Sequence, residues 1–554
     1  MKHNPLWILT LAWSLPLPLA AQTAPADKSA AIAQQLEDAR KELAAQAALL
    51  KQMREELNQQ SKAIEQLRGA QPGRSVSADD AAKLQAAAAA LRATVEAAKV
   101  QVAAAKPAAK PAEPGPADLF LRIGNAKITP GGWIDLTAIY RSTNLGSGLT
   151  TSFASIPYNN TVAGGLSEVR FTSQATRLNL RFDETFKQVN LFGFVEADFN
   201  GYMAGNGYVS SNSSSLRLRV AYANINYKKW DFLGGEMWSL LTPTRKTLSP
   251  YTGDLYTTLQ PDNGYQVGFT YARQSLARAV YHPTPNIALA LGVENPEQFT
   301  SSQPTLPALF SSSETDMNAA DTTGGLLKTP NPVPDITAKL TATHTVAGHP
   351  WHAGVSGLLT TVRIVTPVSV TKTVTAKDTR VGGAIAANTQ LELFKGFRFI
   401  NTGYWSDGGA RYMGGIGPGF VVLQPGKATS PFSIAKIHSG SAISSVEWDV
   451  TKKLTVAALA SGAYFQRRYG LDPSVTKTTY VGYGFPGSAN SNNRVIQEIT
   501  FDTVTSIWKN PLYGGLQLTT QSSYVQRAPW YVAPAAPKNA HEFVQFVNVR
   551  YILP

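Results

Sequence analysis

Charged side chains of both signs lie on one face of three neighbouring stretches of the chain. These residues are Arg177, Arg181, Glu196, Asp198, Arg217 and Arg219. Guanidinium groups bind carboxylates and phosphates through paired hydrogen bonds. Rows of arginine opposite acidic side chains in a pore also produce a transverse field that selects anions. The alternative is that the arginines pair with the two carboxylates and only satisfy a polar wall, and both interpretations stay open at this point.

The stretches that hold these charges alternate strictly between apolar and polar side chains. One of them reads T-R-L-N-L-R-F-D, so Leu178, Leu180 and Phe182 share a face opposite the charges. Similar stretches of about ten residues recur from Trp133 to the C-terminus, as in barrels that are apolar outside and wet inside. The pattern predicts an all-β transmembrane barrel over residues 119–554, with the charges facing its lumen.

The connections between these stretches alternate in length. Short turns such as Thr185–Lys187 and Lys228–Asp231 alternate with long polar loops such as Ser142–Ala175. Bacterial membrane barrels have tight turns on the periplasmic side and long loops outside. We therefore expect about 16 antiparallel strands. Eighteen strands also fit, because a long loop can contain a hairpin.

One long loop, Leu241–Phe269, follows the fifth strand and begins with two further cations, Arg245 and Lys246. A loop of this length can fold into the barrel and constrict the channel. Its acidic and tyrosine side chains would then line the constriction. The alternative is an ordinary surface loop.

The segment before the barrel has the features of an exported helical region. Residues 1–21 have the basic start, apolar core and small terminal residues of a signal peptide. Apolar side chains at heptad spacing over residues 29–68 predict a coiled coil. Residues 77–105 predict an Ala-rich second helix, and residues 106–118 a Pro-rich linker. Export places the barrel in the bacterial outer membrane, in contact with its lipid, and the coiled coil in the periplasm.

The sequence has no signature of an enzyme, a cofactor site or a metal site. Cysteine is absent, and the cluster His344, His349 and His352 lacks the spacing of a zinc site. The net charge is +13, and residues 119–554 hold 36 Lys and Arg against 25 Asp and Glu. Because no compact basic block or nucleic-acid motif occurs, the expected partners are small anionic solutes rather than nucleic acid.

Several segments, taken in their order along the chain, resemble the DcaP-like family of trimeric outer-membrane porins. Residues 176–182 and 195–201 resemble its arginine-rich strand and its Glu-x-Asp-Phe-x-Gly strand end, and residues 216–222 and 235–239 resemble the next two strands. The resemblance implies a 16-stranded homotrimer with a periplasmic coiled coil that carries dicarboxylate-like anions through an arginine-lined constriction. The matching positions are Arg177, Arg181, Glu196, Asp198, Arg217, Arg219 and Arg278.

Two other functions fit the sequence. A sugar-specific porin would need aromatic rings along the channel, and inward-facing Trp133, Phe192, Phe194 and Trp238 could supply them. A structural tether would use the coiled coil as a periplasmic spacer and the barrel as its anchor. The two functions are not exclusive of a diffusion channel.

Overall fold

The computed structural model describes residues 120–201, 215–261, 264, 266–296, 298–300, 304–310, 327–329, 332–367 and 374–554. The predicted signal peptide, coiled coil, second helix and Pro-rich linker lie outside these residues and stay predictions. Within the described ranges, no helix has the length and apolar character needed to cross a membrane.

The described residues form 24 β-strands. In chain order they are β1 (Leu121–Ile123), β2 (Ala126–Arg141), β3 (Glu168–Thr172), β4 (Arg177–Phe186), β5 (Val189–Asp198), β6 (Arg217–Tyr227), β7 (Trp230–Trp238), β8 (Arg273–Thr284), β9 (Ile287–Glu294), β10 (Gln298–Thr300), β11 (Leu327–Thr329), β12 (Asp335–Val346), β13 (His349–Pro367), β14 (Val374–Phe394), β15 (Phe397–Asp407), β16 (Phe420–Leu423), β17 (Ser433–Lys436), β18 (His438–Asp449), β19 (Leu454–Phe465), β20 (Arg468–Leu471), β21 (Tyr480–Tyr483), β22 (Asn493–Asn510), β23 (Gly514–Pro529) and β24 (Ala540–Ile552).

The main sheet closes into a 16-stranded antiparallel barrel, in which β3 and β4 together make one barrel strand and β1 only adds a short hairpin to β2. This confirms the predicted fold class. Closure is made by β2 and β24, whose register runs from Trp133 opposite Ile552 to Arg141 opposite Val544. The second barrel strand is interrupted, because β3 pairs with one end of β2 and β4 with the other. The hairpins β10–β11, β16–β17 and β20–β21 form separate two-stranded sheets inside long loops. The alternative of 18 barrel strands is therefore wrong.

The apolar face of the barrel points outward. Along β9, Leu289, Leu291 and Val293 are exposed, whereas Ala288 and Glu294, on the other face, are buried. A soluble sheet would bury the apolar face instead, and large exposed apolar surfaces indicate contact with a partner or a membrane. The arrangement is that of a barrel surrounded by lipid.

The alternation of short and long connections is confirmed. Tight turns join β4 to β5, β6 to β7 and β12 to β13. Lys187, Lys228 and Ala347 in these turns have positive φ, as two-residue hairpin turns require. These turns lie at one end of the barrel, the short-turn end. The long loops lie at the other, the long-loop end.

Three of the long loops, those after β2, β15 and β19, pack together instead of spreading outward. A buried cluster joins Ile156 from the loop after β2, Val421 from β16, Ile437 from the loop before β18, and Tyr483 from β21. Burial of these side chains fixes the loops against one another. These three loops thereby form walls above the lumen at the long-loop end.

Candidate functional site

The loop of residues 239–272 between β7 and β8 enters the lumen. Its first arm lies against β12 to β14, where Lys339 Nζ donates to the carbonyl of Thr242 at 2.5 Å. Asn388 Nδ2 donates to the carbonyl of Thr244 at 2.7 Å, and the Thr244 hydroxyl lies 3.0 Å from His352 Nε2. Of the predicted alternatives for this loop, the structure has the inward-folded one.

Arg245 fixes the same arm to the barrel wall. Its guanidinium donates to the two carboxylate oxygens of Glu447 at 2.5 and 3.0 Å, and to Gln390 Oε1 at 3.1 Å. It also lies over the ring of Tyr256, 4.7 Å from the ring centre. Burial raises the pKa of the Tyr256 phenol, so the ring under the guanidinium stays uncharged at neutral pH.

The tip and the returning arm of the loop touch other parts of the wall. The Tyr222 hydroxyl on β6 donates to the carbonyl of Pro250 at 2.6 Å. On the returning arm, the backbone N–H of Val267 donates to Glu498 on β22 at 2.7 Å. Arg550 on β24 donates to a further loop carbonyl. Because these contacts lie on widely separated strands, the loop crosses the lumen rather than following one wall.

Five of the predicted site residues come together where β4, β5 and β6 meet, and we call them the arginine cluster. Asp198 accepts two hydrogen bonds from Arg217, at 3.0 and 2.7 Å, and one from Arg219 at 2.6 Å. Glu196 accepts from Arg219 at 3.0 Å and from Arg177 at 3.4 Å. The carboxylates lie beside the arginines instead of across the lumen. These two sets of charges therefore do not form the expected transverse field between them.

The arginine cluster differs in exposure from one side to the other. The side chains of Arg219 and Asp198 are only 2% and 3% exposed, whereas that of Arg217 is 35% exposed. A buried pair of this kind is rigid, because both groups need each other to offset desolvation. Arg217 is therefore the most exposed member of the cluster, and it shares its carboxylate partner, Asp198, with Arg219.

Arg273 and Tyr271 belong to the same site, and the sequence did not reveal either. The ring of Tyr271 stacks on Trp238 with centres 3.8 Å apart, and its hydroxyl accepts from Arg219 at 3.2 Å. The guanidinium of Arg273 lies over Trp238, 5.0 Å from the ring centre. These contacts add Arg273 to the three arginines of the cluster.

A cavity of about 560 Å³ lies over this group at the long-loop end of the lumen. It is bounded by the loops after β2 and β15 and by the returning arm of the inward loop. Among the described residues that line it, the charged side chains are Arg217, Arg219, Arg273 and Asp198. Three arginines and one aspartate make this cavity suited to an anion.

The other predicted site residues lie elsewhere. Arg181 forms a bidentate pair with Asp183 at 2.7 and 2.8 Å, and Arg278 is buried against the carbonyl of Ser249 at 3.0 Å. Lys246 is exposed on the inward loop, whereas Arg245 is bound to the wall. These four residues are not brought together with the arginine cluster.

The inward aromatic rings are covered by other side chains. The guanidinium groups of Arg177 and Arg550 each lie over the ring of Trp133, 4.7 and 4.5 Å from its centre. Phe192 packs against Tyr222 with ring centres 6.0 Å apart. Rings that already contact cations and other rings offer little free face for stacking with a sugar.

A 16-stranded antiparallel barrel with an inward-folded loop and a charged lumen defines a channel-type fold. The structure is similar to the crystal structure of the outer membrane channel DcaP of Acinetobacter baumannii, with a TM-score of 0.54, 16% identity, and coverage of 78% of this chain and 99% of that one. An anion-selective porin from Comamonas acidovorans has a TM-score of 0.41 and 11% identity over 77% of this chain and 100% of that one. No protein-family model and no curated protein matches the sequence. The expected likeness to the DcaP-like channels is confirmed at the level of the fold.

Proposed function

We propose that this chain is a porin of the bacterial outer membrane through which small solutes diffuse passively, with a preference for dicarboxylate-like anions. The closed barrel with an apolar exterior supports the membrane location, and the lumen with its inward loop supports a restricted channel. In this orientation the long-loop end is extracellular and the short-turn end is periplasmic.

The observation that supports the anion preference best is the extracellular cavity. Arg217 presents a partly exposed guanidinium there, with Arg273 and Arg219 lining the same space. A carboxylate entering the cavity meets donors that suit its geometry, and a second carboxylate on the same solute meets Arg273. Binding has to stay weak enough for release, as conduction requires.

The test is the reversal potential of the reconstituted protein in a planar bilayer under a salt gradient. We expect an anion-directed potential that shifts toward zero in Arg217→Gln. The matched control is Arg494→Gln, an exposed arginine of β22 that does not line the cavity. A cation-directed potential in the wild type, or equal shifts in both variants, would contradict the proposal.

The homotrimer is part of this proposal and is supported by the heptad pattern and the resemblance of the sequence. Crosslinking in mild detergent tests it, and a species that stays monomeric would argue against a trimer.

The covered aromatic rings argue against a sugar-specific channel. Block of the current by a neutral sugar would instead support such a channel. The tether function is tested by deleting residues 30–105 and measuring envelope spacing.

A further inference from the structure

The outer wall of the barrel has an apolar groove that runs from β7 to β14, which we call the outer groove. The register places Leu291, Ala338, Gly357 and Ile385 side by side across four strands. Leu291 and Ile385 are 60% and 57% exposed and form the walls, with Ala338 and Gly357 as the floor between them. The groove has a volume of about 730 Å³. A Cβ added at Gly357 would meet no atom within 4 Å, so the space above the floor is open.

Two cations lie on the same outer face at the extracellular end of β13 and β14. Arg363 faces outward because its neighbour Val362 is buried inside against the β16–β17 hairpin. Lys377 lies four residues from Val381 on the same strand and therefore shares its outward face, on which Val381 is 61% exposed. Since Lys377 is opposite Val365 in the register, Arg363 is its diagonal neighbour. Diagonal neighbours in a sheet have Cβ atoms about 7 to 8 Å apart or less, so one phosphate can reach both cations.

The height between the groove and the cations matches one leaflet of a membrane. Gly357 and Arg363 are six residues apart on β13, which is about 20 Å along a strand at roughly 3.3 Å per residue. A strand tilt of about 40° reduces this to roughly 15 Å of height. One leaflet of hydrocarbon is also about 15 Å thick. Acyl chains in the groove would therefore place their headgroup at the two cations.

We propose that the outer groove binds acyl chains of lipopolysaccharide, with Arg363 and Lys377 on a phosphate of its headgroup. We choose this lipid because the two cations need an anionic headgroup, and because they lie at the extracellular end of the strands and face the outer leaflet. Arginine and lysine both bind phosphate through charge-assisted hydrogen bonds. Arg363 has a hydroxyl partner, Thr379 Oγ1 at 3.1 Å, which orients its guanidinium. The inference rests on the outer-membrane location proposed above, but not on anion preference.

The test is lipid binding by the full-length protein, delipidated in detergent and titrated with purified lipopolysaccharide under native mass spectrometry. We expect the double variant Arg363→Ala/Lys377→Ala to bind about 25-fold more weakly, from roughly fivefold for each cation near an anionic lipid surface. Lys509→Ala is the matched control, because Lys509 lies at the periplasmic end of β22. Dephosphorylated lipopolysaccharide should bind the wild type as weakly as the intact lipid binds the double variant.

A second pair of variants tests the groove itself. Gly357→Leu fills the floor, and Gly403→Leu adds the same side chain on the outer face of β15, where a Cβ is equally free of contacts. We expect weaker lipid binding only in Gly357→Leu, with both barrels folded. Unchanged binding in the double cation variant, or equal binding of phosphatidylglycerol, would overturn the proposal. So would a loss of oligomer in Gly357→Leu with lipid binding retained, because the groove would then be an interface between copies. Bound lipid is measured without any current, so a channel that fails the selectivity test can still pass this one.

Discussion

Replacing Arg245 by glutamine tests whether the inward loop limits the channel. Arg245 holds the loop on Glu447, a carboxylate that is only 2% exposed. Removing one partner of a buried ion pair costs about 3–5 kcal/mol, because the other charge stays buried. Arg398 Nε still donates to Glu447 at 3.2 Å, so we expect the lower end of that range, about 3 kcal/mol.

A change of about 3 kcal/mol corresponds to roughly a 100-fold shift between the anchored and the displaced loop. A displaced state populated at about 0.1% would rise to roughly 10%. Such a population is visible in single-channel recordings as brief openings to a higher conductance. The same change should speed the swelling of proteoliposomes in the larger members of a series of neutral sugars.

The control variant is Arg398→Gln, which removes a cation from the same carboxylate without touching the loop. It should keep the wild-type conductance and size limit, and the heat stability of both folded barrels should be compared on gels. The reasoning is refuted if Arg245→Gln folds and shows the dwell times, conductance and size limit of the wild type. It is also refuted if both variants change alike.

Three further variants follow from individual contacts. Lys339→Met leaves the carbonyl of Thr242 without its donor, which costs about 1–3 kcal/mol, and should produce rarer openings than Arg245→Gln. The absence of any openings would contradict a role of this contact in holding the loop. Asp335 is fully buried and accepts a hydrogen bond from Arg411 at 2.9 Å. Arg411→Met leaves this carboxylate without its cation, so proteolysis of the loop after β15 should become faster on intact cells. Gly132→Ala should lower the yield of folded barrel on heat-modifiability gels. Its φ is 127°, and a Cβ would lie 2.1 Å from a carbonyl of the neighbouring strand; a normal yield would show that the strands can separate there.

The fold could be predicted from the sequence because apolar and polar side chains alternate within each strand and so mark its outer and inner faces. Along β4, Leu178 and Leu180 are exposed outward and Arg177 and Arg181 face the lumen, as alternation predicts. The tight turns could also be predicted, because they are short polar breaks between two alternating segments. The inward path of residues 239–272 was one of two alternatives, because its contacts come from distant strands.

The site could be predicted only in part, because its contacts also depend on how the strands pair. Alternation put Arg217 and Arg219 in the lumen but could not show that Asp198 accepts from both. A bulge between Glu196 and Ala197 sets that contact by shifting the register. Arg273 was missed because alternation assigns it to the outer face. It lies at the first position of β8, where the adjoining loop turns its guanidinium onto Trp238.

The pairing of β2 with β24 determines when the protein can become a barrel at all. Trp133 and Ile552 are partners in that register, and more than 400 residues separate them in the chain. Contacts between such distant segments form slowly, because the entropy of closing the loop is lost before the pairing is gained. Until the last strand arrives, β2 and β23 each present an unpaired edge that can join another chain. The barrel strands must therefore be shielded until closure, and pairing of the final thirteen-residue strand removes the last open edges.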